Sequence, residues 1–299
     1  MRLAGAPITW GVSEVPGWGH RMSPERVLSE MHDAGLGATE LGPPGYLPGN
    51  VEQLTALLDT HDLSLAAGFV ATVLHVPDRH EQAATALRAA VDAIAAGGGE
   101  VLVVAGSAGE AYDRHQTLDR AGWKALVAAL HRAEEIASAR NLRLAFHPHV
   151  GTVVQTTADV CCLLELSSAG LCLDTGHLFL GGEDPLHFAT IAGERVTHVH
   201  VKDVEGELAE RVQGGELAFS DAVRQGLFTP LGAGVVDVAG VVSRLEAAGY
   251  GGWYVLEQDV MLDAEPAPGR GPVQAVRSSV AYFASLVAHH RQREREDGR

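Results

Sequence analysis

The sequence predicts an α/β fold, a single (β/α)8 TIM barrel that takes up residues 1–299. Short apolar runs rich in β-branched residues alternate with helical stretches of about a dozen residues, the pattern of parallel strands joined by crossover helices. Eight such units follow one another, and a chain of 299 residues has a usual length for that barrel. An open doubly wound sheet is the alternative, but no glycine-rich phosphate-binding motif follows an early strand.

The first helix illustrates the signals that mark each unit. Ser23 offers an N-cap, Pro24 occupies the first helical position, and Gly35 ends the helix. The glycines at 97–99 stop the third helix in the same way. The predicted strands of the first half, each with its helix, are 6–11 with 23–34, 38–41 with 50–61, 63–70 with 80–96, and 100–105 with 118–140.

The second half repeats this pattern and adds two irregular segments. The predicted pairs are 142–146 with 157–167, 171–174 with 185–192, 196–202 with 237–248, and 253–257 with 273–290. A long loop at about 203–234 follows the seventh strand, and we expect it to lie over the site and exclude water. Residues 291–299 form a charged tail that we expect to be frayed.

The charge balance argues against two classes of partner, and the cysteines exclude two kinds of structural site. The chain has 22 Lys and Arg against 38 Asp and Glu, and a net charge of −16 disfavours nucleic acid and anionic membranes. Cys161, Cys162 and Cys172 are odd in number and form no C-x-x-C pair, which excludes a disulfide framework and a thiolate zinc site. With no signal peptide and no membrane-length apolar run, we expect a cytoplasmic enzyme that can form a homo-oligomer.

Polar side chains cluster where the late strands end. They are His147 and His149 after strand five, Asp174 and His177 after strand six, His198, His200 and Lys202 on strand seven, and Glu257 on strand eight. The carboxyl ends of barrel strands meet at one mouth, and buried Asp, Glu and His need partners there. We therefore predict a divalent metal held by Asp174, His200 and Glu257, with a fourth ligand from strand five.

Each cluster taken alone has a structural explanation. Asp174 can cap a helix, strand seven can be an edge strand with a polar face, Glu257 can form an ion pair, and residues 147–149 can form a surface turn. The joint occurrence of such residues at the ends of four successive strands favours a shared site.

Several motifs carry a resemblance to a known superfamily. They are DTGH at 174–177, HVHVKD at 198–203, LGAG at 231–234, and Glu257. In these the chain resembles the sugar isomerase/epimerase barrels related to xylose isomerase and endonuclease IV. Within that superfamily it most resembles the inosose dehydratase family, through ITWGV at 8–12 with Glu14, GWG at 17–19, ATELGP at 38–43, FHPHVGTVVQT at 146–156 and GLF at 226–228.

This resemblance implies a xylose isomerase-like barrel with a metal held by Asp174, His200, Glu257 and Gln155. Gln155 stands in the region where much of the superfamily has a glutamate; it can ligate through its carbonyl but cannot act as a base. We expect Mn²⁺ or Co²⁺ ahead of Mg²⁺, Fe²⁺ or Zn²⁺. The implied reaction is dehydration of 2-keto-myo-inositol, a step of inositol catabolism, by β-elimination of water.

The roles that follow for the other residues are these. His147, His149 and His177 are acid/base candidates, and Lys202 polarises the oxyanion or holds a hydroxyl. The side chains expected to line the pocket are Trp10, Glu14, Glu40 and Phe228. The alternatives are a metal-dependent ketose isomerase or epimerase, a sugar-binding pseudoenzyme, and an abasic-site endonuclease, which the acidic charge disfavours.

Overall fold

The structure is a computed structural model that describes residues 1–109 and 114–297. The strands within these ranges are β1 (Arg2–Gly5), β2 (Ala38–Glu40), β3 (Ser64–Thr72), β4 (Val101–Gly106), β5 (Arg143–Phe146), β6 (Leu171–Asp174), β7 (Val196–Val201), β8 (Asp203–Val204), β9 (Phe228–Thr229) and β10 (Trp253–Leu256). Among them, β1 to β7 and β10 close into a parallel barrel, in which β10 pairs with both β1 and β7. The predicted eight-stranded barrel is confirmed.

Helices surround this barrel. They are α1 (Pro24–Asp33), α2 (Val51–Thr60), α3 (His80–Ala96), α4 (Arg120–Ser138), α5 (Thr157–Leu166), α6 (Thr175–Leu180), α7 (Pro185–Ala192), α8 (Gly206–Gln213), α9 (Phe219–Arg224), α10 (Val238–Ala247) and α11 (Pro272–Asp297). Side-chain caps begin several of them, as Ser23 does for α1 and Asn50 for α2. No helix of the described ranges has the length and apolarity needed to cross a bilayer.

The first strand differs from its predicted position at 6–11. The observed strand β1 lies earlier and pairs with β10 from Arg2 opposite Trp253 to Gly5 opposite Leu256. The segment Pro7–Trp10 forms a 3-10 turn instead. Pro7 has no N–H to donate to a sheet ladder, and its fixed φ suits the start of a helical turn.

Two other segments also differ from the prediction. Residues 203–234 contain β8, α8, α9 and β9, so they are folded rather than one open loop. The antiparallel pair β8–β9 joins Asp203 to Thr229 and Val204 to Phe228. The last helix reaches Asp297 and so continues past its predicted end at 290; the fraying of 291–299 stays a prediction, and residues 298 and 299 lie outside the described ranges.

The barrel interior is filled mainly by small side chains. Ala38, Ala67, Val101, Val103, Ala145, Cys172 and Val255 belong to one buried cluster. The pairing of β6 with β7 sets Cys172 beside His198 and Asp174 beside His200. Because side chains alternate along a strand, Asp174 and His200 face the interior one level above Cys172 and His198. The apolar packing of the barrel interior, which we call the barrel floor, therefore ends at the level of Cys172, and Asp174 and His200 lie directly above it.

Candidate active site

Strand register brings the predicted metal ligands together. His200 is paired with Asp174 on one side and with Val255 on the other, and Glu257 follows Val255 by two residues on the same face. The His200 Nδ1 atom lies 3.5 Å from Asp174 Oδ2 and 3.2 Å from Glu257 Oε2. All three side chains are buried. The structure thus groups Asp174, His200 and Glu257 around one point.

His147 supplies the neighbouring position from the end of β5. Its Nε2 atom lies 3.4 Å from Asp174 Oδ2, and its Nδ1 lies 2.7 Å from the Pro148 carbonyl oxygen. A carbonyl only accepts, so Nδ1 carries a hydrogen and donates it to Pro148. Nε2 is therefore the ring nitrogen that faces Asp174.

The donor set fits a divalent cation. Asp174 Oδ2 and His200 Nδ1 are buried and make no hydrogen bond within the described residues. Donor atoms separated by 3.2 to 3.5 Å have the spacing of ligands that share one ion at roughly 2.0–2.2 Å. Buried polar atoms without partners are costly, and an ion between these donors would satisfy them. Carboxylate and imidazole ligands together suit Mn²⁺, Co²⁺, Fe²⁺ or Zn²⁺.

Gln155 lies apart from this group in its contacts. Its side-chain Oε1 accepts a hydrogen bond of 2.7 Å from the Gly151 N–H, and its own backbone N–H donates to Asp159. The amide oxygen expected to bind the metal is therefore used to close the loop after β5. His147 is the residue that β5 brings beside Asp174.

Lys202 adds a positive charge beside the cluster. Its Nζ donates to Asp259 Oδ1 at 2.8 Å, lies 2.8 Å from Glu257 Oε2 and is 3.3 Å from His177 Nε2. Burial lowers the pKa of Lys202, but the charges of Asp259, Glu257 and Asp174 outweigh burial and hold it well above its usual range. The ammonium therefore stays protonated.

His149 and His177 form a stacked pair next to His147. Their ring centroids are 3.6 Å apart, with a tilt of 31°. Burial, with the charges of His147 and Lys202, lowers the pKa of His149 to about 3, and burial also lowers the pKa of His177. His149 Nδ1 donates to the Val150 carbonyl at 2.6 Å, which leaves the Nε2 lone pair free. Both rings are therefore neutral near pH 7.

A cavity of about 330 Å³ opens onto these groups. One wall is polar and consists of His147, His149, His200, Lys202, Glu257 and Asp259. The apolar part of the lining includes Ile8, Val12, Val15, Pro43 and Phe69, and the Phe69 ring lies beside His147 and His149. Glu14 and Glu40 also line the cavity, as the sequence predicts. Among the described residues, Lys202 is the ammonium or guanidinium side chain of this lining, which otherwise presents carboxylates, imidazoles, hydroxyls of Ser and Thr, and apolar groups.

Two residues expected in the pocket are not part of its lining. Trp10 is fully buried, and its indole N–H donates to Glu30 Oε2 of α1 at 2.9 Å. It is therefore a core residue. Phe228 is buried behind the site, with Lys202 Nζ 5.1 Å from its ring centre and its ring against His177. No residue of 203–234 lines the cavity, so this segment supports the polar wall from behind instead of covering it.

Asp259 is the site residue that sequence reasoning does not single out. It follows Glu257 by two residues after β10, and alternation puts both carboxylates on the side of Lys202. The spacing is visible in the sequence, but nothing there shows that the partner of Asp259 is the lysine that follows β7.

Comparison with known proteins agrees with this architecture. The sequence model of the xylose isomerase-like TIM barrel family matches residues 28–285. The chain belongs to this family. It is 32% identical to the inosose dehydratase of Geobacillus thermodenitrificans, across 87% of this chain and 90% of that protein. It is 33% identical to the rhizopine catabolism protein MocC of Rhizobium meliloti, across 87% and 82%.

Solved structures show the same fold at lower identity. L-ribulose 3-epimerase superposes with a TM-score of 0.73 at 17% identity, covering 100% of this chain and 98% of that one. The IOLI protein, solved with a zinc atom, superposes with a TM-score of 0.70 at 16% identity, covering 97% and 99%. The inosose dehydratase relatives make this a family of enzymes, and the chain is an enzyme of it.

Proposed function

We propose that the protein is a metal-dependent hydro-lyase that removes water from a cyclic polyhydroxylated ketone of the inosose type. One observation carries the proposal: Asp174 Oδ2 and His200 Nδ1 face each other without a hydrogen bond to any described residue, beside the charged Lys202 and next to a cavity that His149 lines. The relatives named inosose dehydratase support this choice of reaction and of 2-keto-myo-inositol as the substrate.

The residues that would hold the ion are His147, Asp174, His200 and Glu257. We propose His147 in place of Gln155, whose side-chain oxygen is bonded to Gly151. Mn²⁺ or Co²⁺ is expected ahead of Mg²⁺, Fe²⁺ or Zn²⁺. When bound, the ion supplies Lewis-acid stabilisation of the negative charge that develops on a ketone oxygen.

His149 is the proposed proton carrier. It lines the cavity, and because its Nδ1 donates to Val150, its Nε2 is left to accept the proton from the carbon next to the ketone. The same nitrogen can then return that proton to the leaving hydroxyl, so that one water departs and the enzyme recovers its starting protonation state. His177 does not line the cavity and is proposed to orient His149 by stacking.

Lys202 is proposed to act by charge instead of by proton transfer. Its raised pKa makes it a poor acid, while its ammonium lies in the cavity wall next to Glu257. A fixed positive charge in a water-poor site stabilises an oxyanion without reorganising during the reaction. Glu14 can accept hydrogen bonds from substrate hydroxyls along the lining.

The substrate class follows from the lining. Lys202 is already shared by two carboxylates, so a phosphate or carboxylate group on the substrate would meet no free cation among the described residues of the lining. A neutral polyol ring offers hydroxyls to the polar side chains of the lining and C–H faces to its apolar side chains. We propose inositol catabolism in the cytoplasm as the setting, consistent with the free thiols of Cys161, Cys162 and Cys172.

The test is dehydration of 2-keto-myo-inositol by chelator-treated protein to which each of the five ions is added in turn. We expect the absorbance of a dione product only with an ion present. The His149→Gln variant should lose at least about a hundredfold in kcat while its ion content stays at the wild-type level. The exposed His32→Gln on α1 is the matched control and should keep full activity.

Other outcomes would replace this proposal. Redistribution of ketoses with no dione indicates an epimerase or isomerase. Tight polyol binding without turnover in any ion indicates a sugar-binding pseudoenzyme. Dehydration that survives complete removal of metal contradicts the metal-dependent reaction.

A further inference from the structure

Glu40 lies against His200 on the side away from the other ligands. Its Oε1 atom is 2.8 Å from His198 Nε2 and 3.1 Å from His200 Nε2. All three side chains are buried. Glu40 ends β2, whereas both histidines belong to β7, so the carboxylate reaches them across the barrel interior.

These hydrogen bonds fix the proton positions on His200. An ionised carboxylate only accepts, so Nε2 of His200 carries the hydrogen that points at Glu40. The other ring nitrogen, Nδ1, is then the one left to bind the ion, and it is the atom that faces Asp174 and Glu257. It makes no hydrogen bond within the described residues.

We infer that Glu40 is a positioning residue for the candidate metal centre, which holds His200 in the tautomer and ring orientation that present Nδ1 to the ion. This inference rests on the proposed metal-dependent function. It gives Glu40 a role different from the substrate contact expected from the sequence. Partners of this kind on ligating histidines change metal affinity by about 10- to 100-fold when they are removed.

His198 completes the arrangement from below. Its Nε2–H donates to the same Glu40 oxygen, so the carboxylate is anchored at the barrel floor as well as at the ligand. Two donors on one oxygen restrict both rotation and translation of the carboxylate. His200 is therefore braced by a group that is itself held in place.

The same three residues also suggest a rival arrangement. Glu40, His198 and His200 offer donor atoms close enough together to hold an ion of their own. The two short N–H to oxygen contacts already satisfy Glu40 Oε1 without one. The number of ions bound per chain therefore separates the two arrangements.

The experiment compares Glu40→Gln and Glu40→Ala with wild type, with Glu14→Gln as the matched control. Glu14 is an acid that lines the same cavity and makes no hydrogen bond or ion pair with His200. Dissociation constants for Mn²⁺ are measured by competition with a chromophoric chelator, the ion count by mass spectrometry, and the coordination by visible absorption of the Co²⁺ form. Nitrogen NMR of the Zn²⁺ form reports which ring nitrogen of His200 carries hydrogen.

We expect one ion per chain in wild type and Glu14→Gln. Both Glu40 variants should bind Mn²⁺ about 10- to 100-fold more weakly, with an altered Co²⁺ spectrum. At saturating Mn²⁺, Glu40→Gln should lower kcat more than it raises KM. Glu40→Gln preserves the side-chain volume, so it remains informative if Glu40→Ala does not fold.

Three results overturn the inference. Unchanged Mn²⁺ affinity and Co²⁺ spectrum in Glu40→Gln, with only KM raised, would make Glu40 a substrate contact. Two ions per wild-type chain would make it a ligand of a second site. A wild type that binds no ion contradicts the proposed function itself, whereas one bound ion with an unaffected Glu40→Gln contradicts only this inference.

Discussion

At the scale of single residues, Lys202 and Asp259 show how one carboxylate can pair with a buried ammonium so that another stays available to a metal ion. The ammonium lies between Asp259 and Glu257, both 2.8 Å away. Glu257 is also a candidate metal ligand, so the ion and Lys202 compete for the same carboxylate. Asp259 gives Lys202 a partner of its own, which leaves Glu257 available to the ion.

The Asp259→Asn substitution tests whether Asp259 pairs with Lys202 so that Glu257 can bind the ion. We expect kcat to fall about tenfold or more, because a charge-assisted hydrogen bond of about 1.5–3 kcal/mol is lost and the ammonium moves onto Glu257. Steady-state kinetics at saturating Mn²⁺ gives the measurement. Asp263→Asn, an exposed acid of the same segment, should leave kcat unchanged. Equal kcat values in wild type and Asp259→Asn would show that Asp259 does not contribute to catalysis.

At the scale of elements, the strand ends could be predicted and the loop contacts could not. Asp174, His200 and Glu257 follow from alternation and from the common mouth of a parallel barrel, both properties of the sequence pattern. Gln155 Oε1 accepts from Gly151 and the Trp10 indole donates to Glu30, and the proximity of these partners depends on how loops close. Periodicity carries no information about such contacts.

The segment after β7 illustrates what organises a connection of this length. Asp203 Oδ1 accepts from the N–H groups of Val204 and Val236, each at 3.0 Å. Its Oδ2 accepts from Gly232 at 2.9 Å and Gly234 at 3.0 Å. One buried carboxylate thus ties the start of the segment to its end, and the folded segment can then pack behind Lys202 and His177.

Replacing the Asp203 carboxylate should mainly lower the stability of the fold, because Asp203 holds backbone N–H groups and does not line the cavity. In Asp203→Asn one oxygen becomes an NH2 group, which cannot accept, so two backbone N–H groups lose their partner. We expect the free energy of unfolding to fall by about 2–4 kcal/mol, measured by urea denaturation. Asp237→Asn is the control, since Asp237 caps α10 through Gly240 and asparagine caps equally well. An equal loss of unfolding free energy in Asp203→Asn and Asp237→Asn would contradict the role of Asp203 in joining the two ends of this segment.

At the scale of the whole molecule, the candidate metal centre joins distant parts of the chain. His147, Asp174, His200 and Glu257 follow or belong to β5, β6, β7 and β10, which lie next to one another in the barrel although they span more than a hundred residues of sequence. The unfolded chain cannot assemble these donors at one point. An ion should therefore bind the folded state and not the unfolded one, which couples metal binding to stability.

This coupling predicts a metal-dependent melting temperature. An ion at 100 times its dissociation constant adds about 2.7 kcal/mol, which for a domain of this size raises Tm by about 5 °C. Differential scanning calorimetry of chelator-treated protein with and without Mn²⁺ measures the shift. Asp174→Asn should show no shift, because the carboxylate shared by His147 and His200 is lost. Asp184→Asn, an exposed cap of α7, should shift like wild type. An equal shift in Asp174→Asn would mean that Mn²⁺ stabilises the chain through sites other than this centre.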